Sequence, residues 1–341
     1  MTTAGNTEFK DRLARRIATA VHVRCAQVEI ESCHIDVRST SCTGRLARRS
    51  FFAKFLTADP YRVVSALPWR EQLSGAATSR SRAVQFEVER KAARIFQDLA
   101  GKHVPGLIGS SEREAVILWE KAEGERLDKL AARSRLNPDT TKHFCRALNS
   151  AGAWLRRVHD ASSESSEKFD LQHLLASIQH HIVTQPWAGQ TYARKAVRLL
   201  QSASDAIGHE KLQLPLVLNH GDFVLANLLW DGSRMMVVDF ENPVITAPFY
   251  DLLTMTFSLR RKLLHPLASS NMVQAAEKSF WQGYGGLPAK LLTFIHAAAT
   301  ARVLCQRPVR QLQKRSWFDA VATSVYRNLL QGSMLARCGE I

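Results

Sequence analysis

The chain has 341 residues, 45% of them hydrophobic and 23% charged, with a formal charge of +15 and a pI near 9.9. No apolar run approaches the ~20 residues of a bilayer-spanning helix, and the N-terminal segment lacks the apolar region of a secretory leader, so the expectation is a cytoplasmic globular protein large enough for two lobes. Cys25, Cys33, Cys42, Cys145, Cys305 and Cys338 are scattered without a Cys-x-x-Cys pair, and His173, His180 and His181 have no acidic or thiol partner at ligand spacing, which argues against a disulfide framework and a zinc site.

Residues 7 to 20 place Phe9, Leu13 and Ile17 at intervals of four, with Arg12, Arg15 and Arg16 between them, and predict an amphipathic helix. Strands follow at 28 to 30, 34 to 37 and 50 to 56, the last two separated by a polar segment, residues 38 to 49, whose only glycine is Gly44. Lys54 sits inside the apolar run from Phe51 to Leu56, where an unpaired ammonium would be costly, so it calls for an acidic partner. The next helix spans 84 to 100, with Val88, Ala92, Ile95 and Leu99 as its apolar stripe and Gly101 and Pro105 as its stop. Glu87 and Glu89 both compete for Lys54; Glu89, set beside Ala93 and Phe96, lies nearer the core and is the choice.

Residues 115 to 119 read as an apolar strand ending in Trp119, followed by Glu120, Lys121, Ala122 and a Gly-Glu turn. Phe144, Leu148, Ala151 and Leu155 recur at helical spacing up to Val158 and His159, the latter a helix-end packing residue. An exposed Ser- and Glu-rich loop at 160 to 168 precedes a helical insertion over roughly 170 to 208.

The most informative stretch is 218 to 252, LNHGDFVLANLLWDGSRMMVVDFENPVITAPFYDLL. Asp231-Gly232 reads as the turn of a hairpin between strands 228 to 230 and 235 to 238, which brings Asp239 back toward Asn227. A hydroxyl attacking a γ-phosphate needs a carboxylate to orient it and accept its proton, and the nucleotide needs hard oxygen ligands that hold Mg2+ across its phosphates. Asp222 fits the first need; Asn227 with Asp239 fits the second.

His220-Gly221-Asp222, Asn227, Asp239-Phe240-Glu241, Pro248 and Tyr250-Asp251-Leu252 together resemble the signature of the aminoglycoside phosphotransferase and choline kinase family. The resemblance implies an α+β, protein-kinase-like fold: a small, mostly antiparallel β lobe at 1 to 118, a hinge at 119 to 122, and a helical catalytic and acceptor-binding lobe at 123 to 341. It implies Asp222 as catalytic base, Asn227 and Asp239 as Mg2+ ligands, and Asp251 as a brace of the catalytic loop. His220 is expected to pack and hydrogen-bond so as to hold that loop. By the same resemblance Lys54 contacts the nucleotide phosphates and pairs with Glu89, and main-chain groups of Glu120, Lys121 and Ala122 hold adenine. Residues 38 to 49 would then cover the phosphates, although an ordinary polar hairpin fits them nearly as well.

The expected reaction moves the γ-phosphoryl group of ATP, as its Mg2+ complex, to a hydroxyl of a small molecule such as a sugar, amino alcohol, glycan or antibiotic. The charge of +15 repels polycations and favours an anionic acceptor or peripheral contact with an anionic membrane, while arginine-rich composition over the whole surface explains it equally well. After residue 253 the chain reads as mostly helical, with Arg302, Arg307, Arg310, Lys314 and Arg315 as a solvated basic face and Trp317 and Phe318 as core. Two other classes remain: a pseudokinase that binds nucleotide without turnover, favoured by the scarcity of glycine at 38 to 49, and a basic nucleic-acid-binding protein, against which stands the lack of any helix-turn-helix, zinc or aromatic-repeat pattern.

Overall fold

The computed structural model describes residues 3–62, 67, 69–74, 77, 79–134, 137–186, 188–264 and 270–305. Helix α1 (Thr3–Ala20) turns Leu13 and Ile17 onto a sheet that begins with β1 (Val28–Ile35), β2 (Ser39–Leu46) and β3 (Arg49–Leu56). Next come β4 (Tyr61–Arg62), α2 (Arg70–Ser74) and β5 (Ser79–Arg80), with β4 paired to β5, then α3 (Arg82–Ala100), β6 (Leu107–Ser111) and β7 (Val116–Glu120). The five long strands form an antiparallel sheet in the order β1-β2-β3-β7-β6.

This sheet corrects the reading of residues 34 to 49. Residues 39 to 46 are strand β2, in which Thr40, Cys42 and Gly44 are buried alternately, and the turns lie at 36 to 38 and 47 to 48. Gly44 serves strand packing: a Cβ there would stand 1.9 Å from the Glu29 carbonyl oxygen. Small polar residues obscured the period-two pattern that marks a strand.

The stripe expected on the next helix is also corrected. The buried residues of α3 are Gln85, Phe86, Glu89, Ala92, Ala93 and Phe96, whereas Ile95 is 46% exposed. The helix is rotated so that its polar Gln85 and Glu89 face the Lys54 side of the sheet, because the buried ammonium requires acceptors there.

The chain then crosses into a helical lobe: β8 (Glu125–Arg126), α4 (Leu127–Arg133), α5 (Pro138–Ala161), β9 (Ser165–Phe169), α6 (Leu171–Val183), α7 (Thr191–Ile207) and β10 (Leu212–Asn219). Asn137 caps α5 and Asp170 caps α6 through side-chain oxygens, as their amide-accepting chemistry favours. Residues 165 to 168, expected as loop, together with Phe169 pair with β10 from Leu212↔Phe169 to Leu216↔Ser165. Their exposed side chains carry no apolar signal; main-chain pairing with a strand over 40 residues downstream makes this edge.

Strands β11 (Leu228–Trp230) and β12 (Met235–Val237) form the expected hairpin; β13 (Val244–Thr246) pairs with β10, and α8 (Phe249–Arg260), α9 (Ser270–Tyr284) and α10 (Ala289–Cys305) complete the lobe. Arg302, expected on a solvated face, instead lies over the rings of Trp69 (5.9 Å) and Phe257 (5.4 Å), and burial pulls its guanidinium down to about 10. Arg307, Arg310, Lys314, Arg315, Trp317 and Phe318 lie outside the described residues. Among the described residues no helix is long and apolar enough to cross a membrane.

A column of aromatic rings joins the lobes. Phe96 of α3 stacks on Phe240 at 4.7 Å and on Trp154 of α5 at 6.1 Å, and Trp154 stacks on Phe223 at 5.6 Å. His220 packs among Phe96, Phe223 and Phe240. Glu89 and the residues flanking Asp222 and Asp239 are therefore tied into one packed unit, in which ring pairs contribute about 0.5–1.5 kcal/mol each beyond their burial.

Candidate active site

Alternation along β3 sends Phe51, Ala53 and Phe55 toward α1 and leaves Lys54 and Leu56 on the face toward α3. Lys54 is buried, with Nζ 3.2 Å from Glu89 Oε1, 2.9 Å from Glu241 Oε2 and 3.4 Å from Asp239 Oδ1. Glu87 is occupied elsewhere, in a surface pair with Arg90 at 2.6 Å. Gln85 Nε2 donates to Glu89 Oε1 and to the Glu241 carbonyl, both at 2.9 Å, and fixes the helix against the segment after Asp239.

Burial opposes charge at Lys54, but Glu89, Asp239 and Glu241 outweigh it and hold the ammonium well above its ordinary value. Burial also pushes Glu89 up, against the attraction of Lys54. At Glu241 burial is outweighed by Lys54, Arg38 and Tyr61, and the carboxyl is held below its usual range.

Asp251, at the start of α8 and fully buried, organises the loop that carries Asp222. Its Oδ2 accepts from the His220 N–H at 2.6 Å and its Oδ1 from the Gly221 N–H at 2.9 Å. Gly221 has φ +82°, and a Cβ there would stand 1.7 Å from the Asn242 carbonyl oxygen, so glycine is required. His220 Nε2–H donates to the Val238 carbonyl at 3.0 Å, which leaves Nδ1 to accept from the Asp222 N–H at 3.4 Å. Burial holds the imidazole below its ordinary value, so it stays neutral in this arrangement. His159 packs likewise: its Nδ1 is 2.9 Å from the Tyr284 hydroxyl.

Asn227 Nδ2 donates to the Asp222 carbonyl at 2.9 Å and to Asp222 Oδ2 at 3.2 Å, which directs its Oδ1 away from the carboxylate. Register in the β11–β12 hairpin, with Val238 N–H donating to the Asn227 carbonyl at 3.0 Å, sets Asn227 opposite Val238, the residue before Asp239. Asp239 is exposed and has φ +69°, a left-handed conformation uncommon outside glycine and found where surrounding structure imposes it. Among the described residues no three His, Cys, Asp or Glu side chains gather as a metal cluster. An amide oxygen and one or two carboxylates nevertheless suit Mg2+, which keeps waters and takes its remaining ligands from substrate phosphates.

In the connection after β7, the Glu120 N–H donates to the Gly106 carbonyl at 2.7 Å and the Lys121 N–H to the Ser50 carbonyl at 3.0 Å. Those two amides are engaged by the fold, so neither is free to meet a ligand. The Lys121 side chain points to Glu31, 3.4 Å away.

Sequence reasoning missed Glu241, Arg38, Tyr61 and Gln85. Glu241 Oε1 accepts from Arg38 Nη1 at 3.1 Å, and its Oε2 accepts from both Lys54 and the Tyr61 hydroxyl at 2.9 Å. The one available signal was the position of Glu241 two residues after Asp239 in an acidic Asp-Phe-Glu run.

An antiparallel sheet with its lysine-bearing strand and glutamate-bearing helix, joined to a helical lobe that carries the Asp222 loop, defines a protein-kinase-like fold of the α+β class. Residues 48–291 match the model of the APH phosphotransferase enzyme family, and the chain belongs to that family. Solved structures agree on the fold. A choline/ethanolamine kinase family protein from Mesorhizobium loti is 15% identical with a TM-score of 0.52, over 97% of this chain and 93% of that one. A glucosamine kinase is 15% identical with a TM-score of 0.57, over 95% and 87%. The amicoumacin kinase hAmiN is 12% identical with a TM-score of 0.56, over 98% and 96%. No curated protein matches the sequence.

Proposed function

We propose that the protein transfers the γ-phosphoryl group of ATP to a hydroxyl of a small molecule. The observation that carries this reading is the convergence of Lys54, Glu89 and Asp239 with a loop in which Asp251 fixes His220 and Gly221 beside Asp222. Lys54, held charged by three carboxylates, would grip the nucleotide phosphates, and the 119 to 122 segment between the lobes would hold adenine. Asn227 and Asp239 would hold Mg2+, which when bound neutralises charge on the phosphates. Asp222, its carboxylate oriented by Asn227 Nδ2, would align the acceptor hydroxyl and take its proton. Positioning and charge neutralisation would supply most of the acceleration.

On the acceptor, the formal charge of +15 favours an anionic group over a polycation, and a buried arginine offers donors of matching chemistry. Arg70 is 1% exposed; its Nη1 donates to the Ala77 carbonyl at 3.2 Å, while its Nε and Nη2 have no hydrogen-bond partner among the described residues. Arg80 stands near enough that Arg70, after burial, pulls its guanidinium down, and it donates to Gln85 Oε1 at 3.1 Å. Buried guanidinium donors without acceptors match a carboxylate or phosphate in chemistry.

ATP consumption measured against panels of sugars, amino alcohols, phosphorylated glycans and aminoglycosides tests both statements. Asp222→Asn should abolish the acceptor-dependent component, lowering turnover by on the order of 10³ while nucleotide binding persists. Equal turnover by Asp222→Asn and the parent on every acceptor would overturn the assignment. A parent that binds ATP but consumes none in the presence of any acceptor would support the pseudokinase alternative.

A further inference from the structure

The turn between β1 and β2 consists of Asp36, Val37 and Arg38 and contains no glycine. The Asp36 N–H donates to the Ser39 carbonyl at 2.9 Å and the Arg38 N–H to Asp36 Oδ1 at 3.2 Å. The Arg38 carbonyl accepts from the N–H groups of Thr57 and Ala58 at 2.9 and 3.1 Å. Two of the three main-chain donors of this turn are thus engaged within it, where a glycine-rich loop would aim such donors at phosphate oxygens.

The Arg38 side chain points toward the site. Its guanidinium lies 5.8 Å from the Tyr61 ring centroid, and Nη1 donates to Glu241 Oε1 at 3.1 Å and to the Arg62 carbonyl at 3.5 Å. The other oxygen of Glu241 accepts from Lys54 at 2.9 Å, so one carboxylate sets two cations side by side. Lys54 is in turn 3.4 Å from Asp239, the candidate metal ligand. A guanidinium has five N–H donors; both of these acceptors are reached through Nη1, Nε stands 4.0 Å from Asp36 Oδ1, and Nη2 makes neither contact. The side chain is 27% exposed, enough for a ligand to reach the remaining donors.

We propose that Arg38 is a phosphate-positioning residue, whose guanidinium, held beside Lys54 by Glu241, makes the contact to the β- or γ-phosphate of bound ATP that loop amides make elsewhere. This inference rests on the phosphotransferase reading. It also accounts for a glycine-poor turn in a nucleotide site: a fixed side-chain cation replaces flexible backbone donors, and the turn needs no unusual φ angle.

The test compares binding of ATP and of adenosine, each with Mg2+, to the parent, Arg38→Ala and Arg38→Gln by titration calorimetry. Losing one charge-assisted phosphate contact should weaken ATP about ten- to hundredfold in both variants and change adenosine by less than about twofold. ATP affinity within about twofold of the parent in either folded variant overturns the proposal. A parallel loss of ATP and adenosine affinity also overturns it, because that is the mark of a merely structural residue. Should Arg38→Ala fail to fold, Arg38→Gln keeps the length and polarity of the side chain and decides the question. A parent that binds no ATP removes the phosphotransferase reading itself, whereas a parent that binds ATP beside unaffected variants removes only the role of Arg38.

Discussion

Lys54 and Glu241 are 187 residues apart in the chain, yet Nζ and Oε2 meet at 2.9 Å in a buried setting. The contact joins the central strand of the sheet to the segment that follows Asp239. It turns three separate acids, Glu89, Asp239 and Glu241, into one cluster around a single ammonium.

Removing the cation should therefore cost more than one ion pair. Lys54→Met leaves neighbouring buried carboxylates without their counterion, and a loss of about 3–5 kcal/mol in denaturant unfolding is expected. Lys54→Met combined with Glu241→Leu should lose less than the sum of the two single changes, because the second removes a charge that the first had orphaned. Strict additivity in urea titrations would contradict the coupling.

Gly221 separates stability from catalysis. In Gly221→Ala the new methyl would stand 1.7 Å from the Asn242 carbonyl oxygen at φ +82°, so the loop must move. Turnover should fall at least about a hundredfold, as expected when a reacting group is misplaced by an ångström. ATP binding should persist, since Lys54 and the 119 to 122 segment lie on other elements. Full activity in steady-state assays would show that the loop geometry is not needed.

Phe96 carries the aromatic column. Phe96→Ala would remove a fully buried ring that touches Phe240, Trp154 and His220, at a cost of about 3–5 kcal/mol from lost burial and the cavity left behind. Phe96→Leu should cost clearly less. Thermal and denaturant unfolding of the two variants checks the order.

His296 gives the fold a pH dependence. Burial first, then Arg260, pushes its imidazole down to about 4 despite Glu277. Above the ordinary value of 6.5 both folded and unfolded chains hold it neutral, so nothing is lost. As pH falls from 6.5 toward 4 the unfolded chain takes a proton that the folded chain does not, and stability declines by on the order of 3 kcal/mol. His220 and His181, both held low chiefly by burial, act in the same direction. His296→Phe should flatten part of this decline, read from denaturant midpoints between pH 7 and pH 4.

Much of the site could be read from local patterns. An ammonium in an apolar strand demands an acid, and a hairpin turn at Asp231-Gly232 returns the strand that ends before Asp239. Glu89 was chosen over Glu87 for its place on the helix, and Glu89 is the residue that meets Lys54. The stripe on that helix was misread for a related reason: apolar spacing favoured Ile95, while the need to pair a buried cation turned Gln85 and Glu89 inward. The turn before β2 was placed too late in the chain, because the residues of β2 are too small and polar to show alternation.

The sequence by itself determined the family signature and the residues with chemistry to offer, because these depend on spacing along one strand, helix or turn. Tertiary structure alone decided which of those residues meet. Arg38, Tyr61 and Glu241 come from three distant segments, and no local period encodes their approach. Their contacts follow from the folding of the sheet over the helical lobe, where a shared buried carboxylate requires donors from whichever segments reach it.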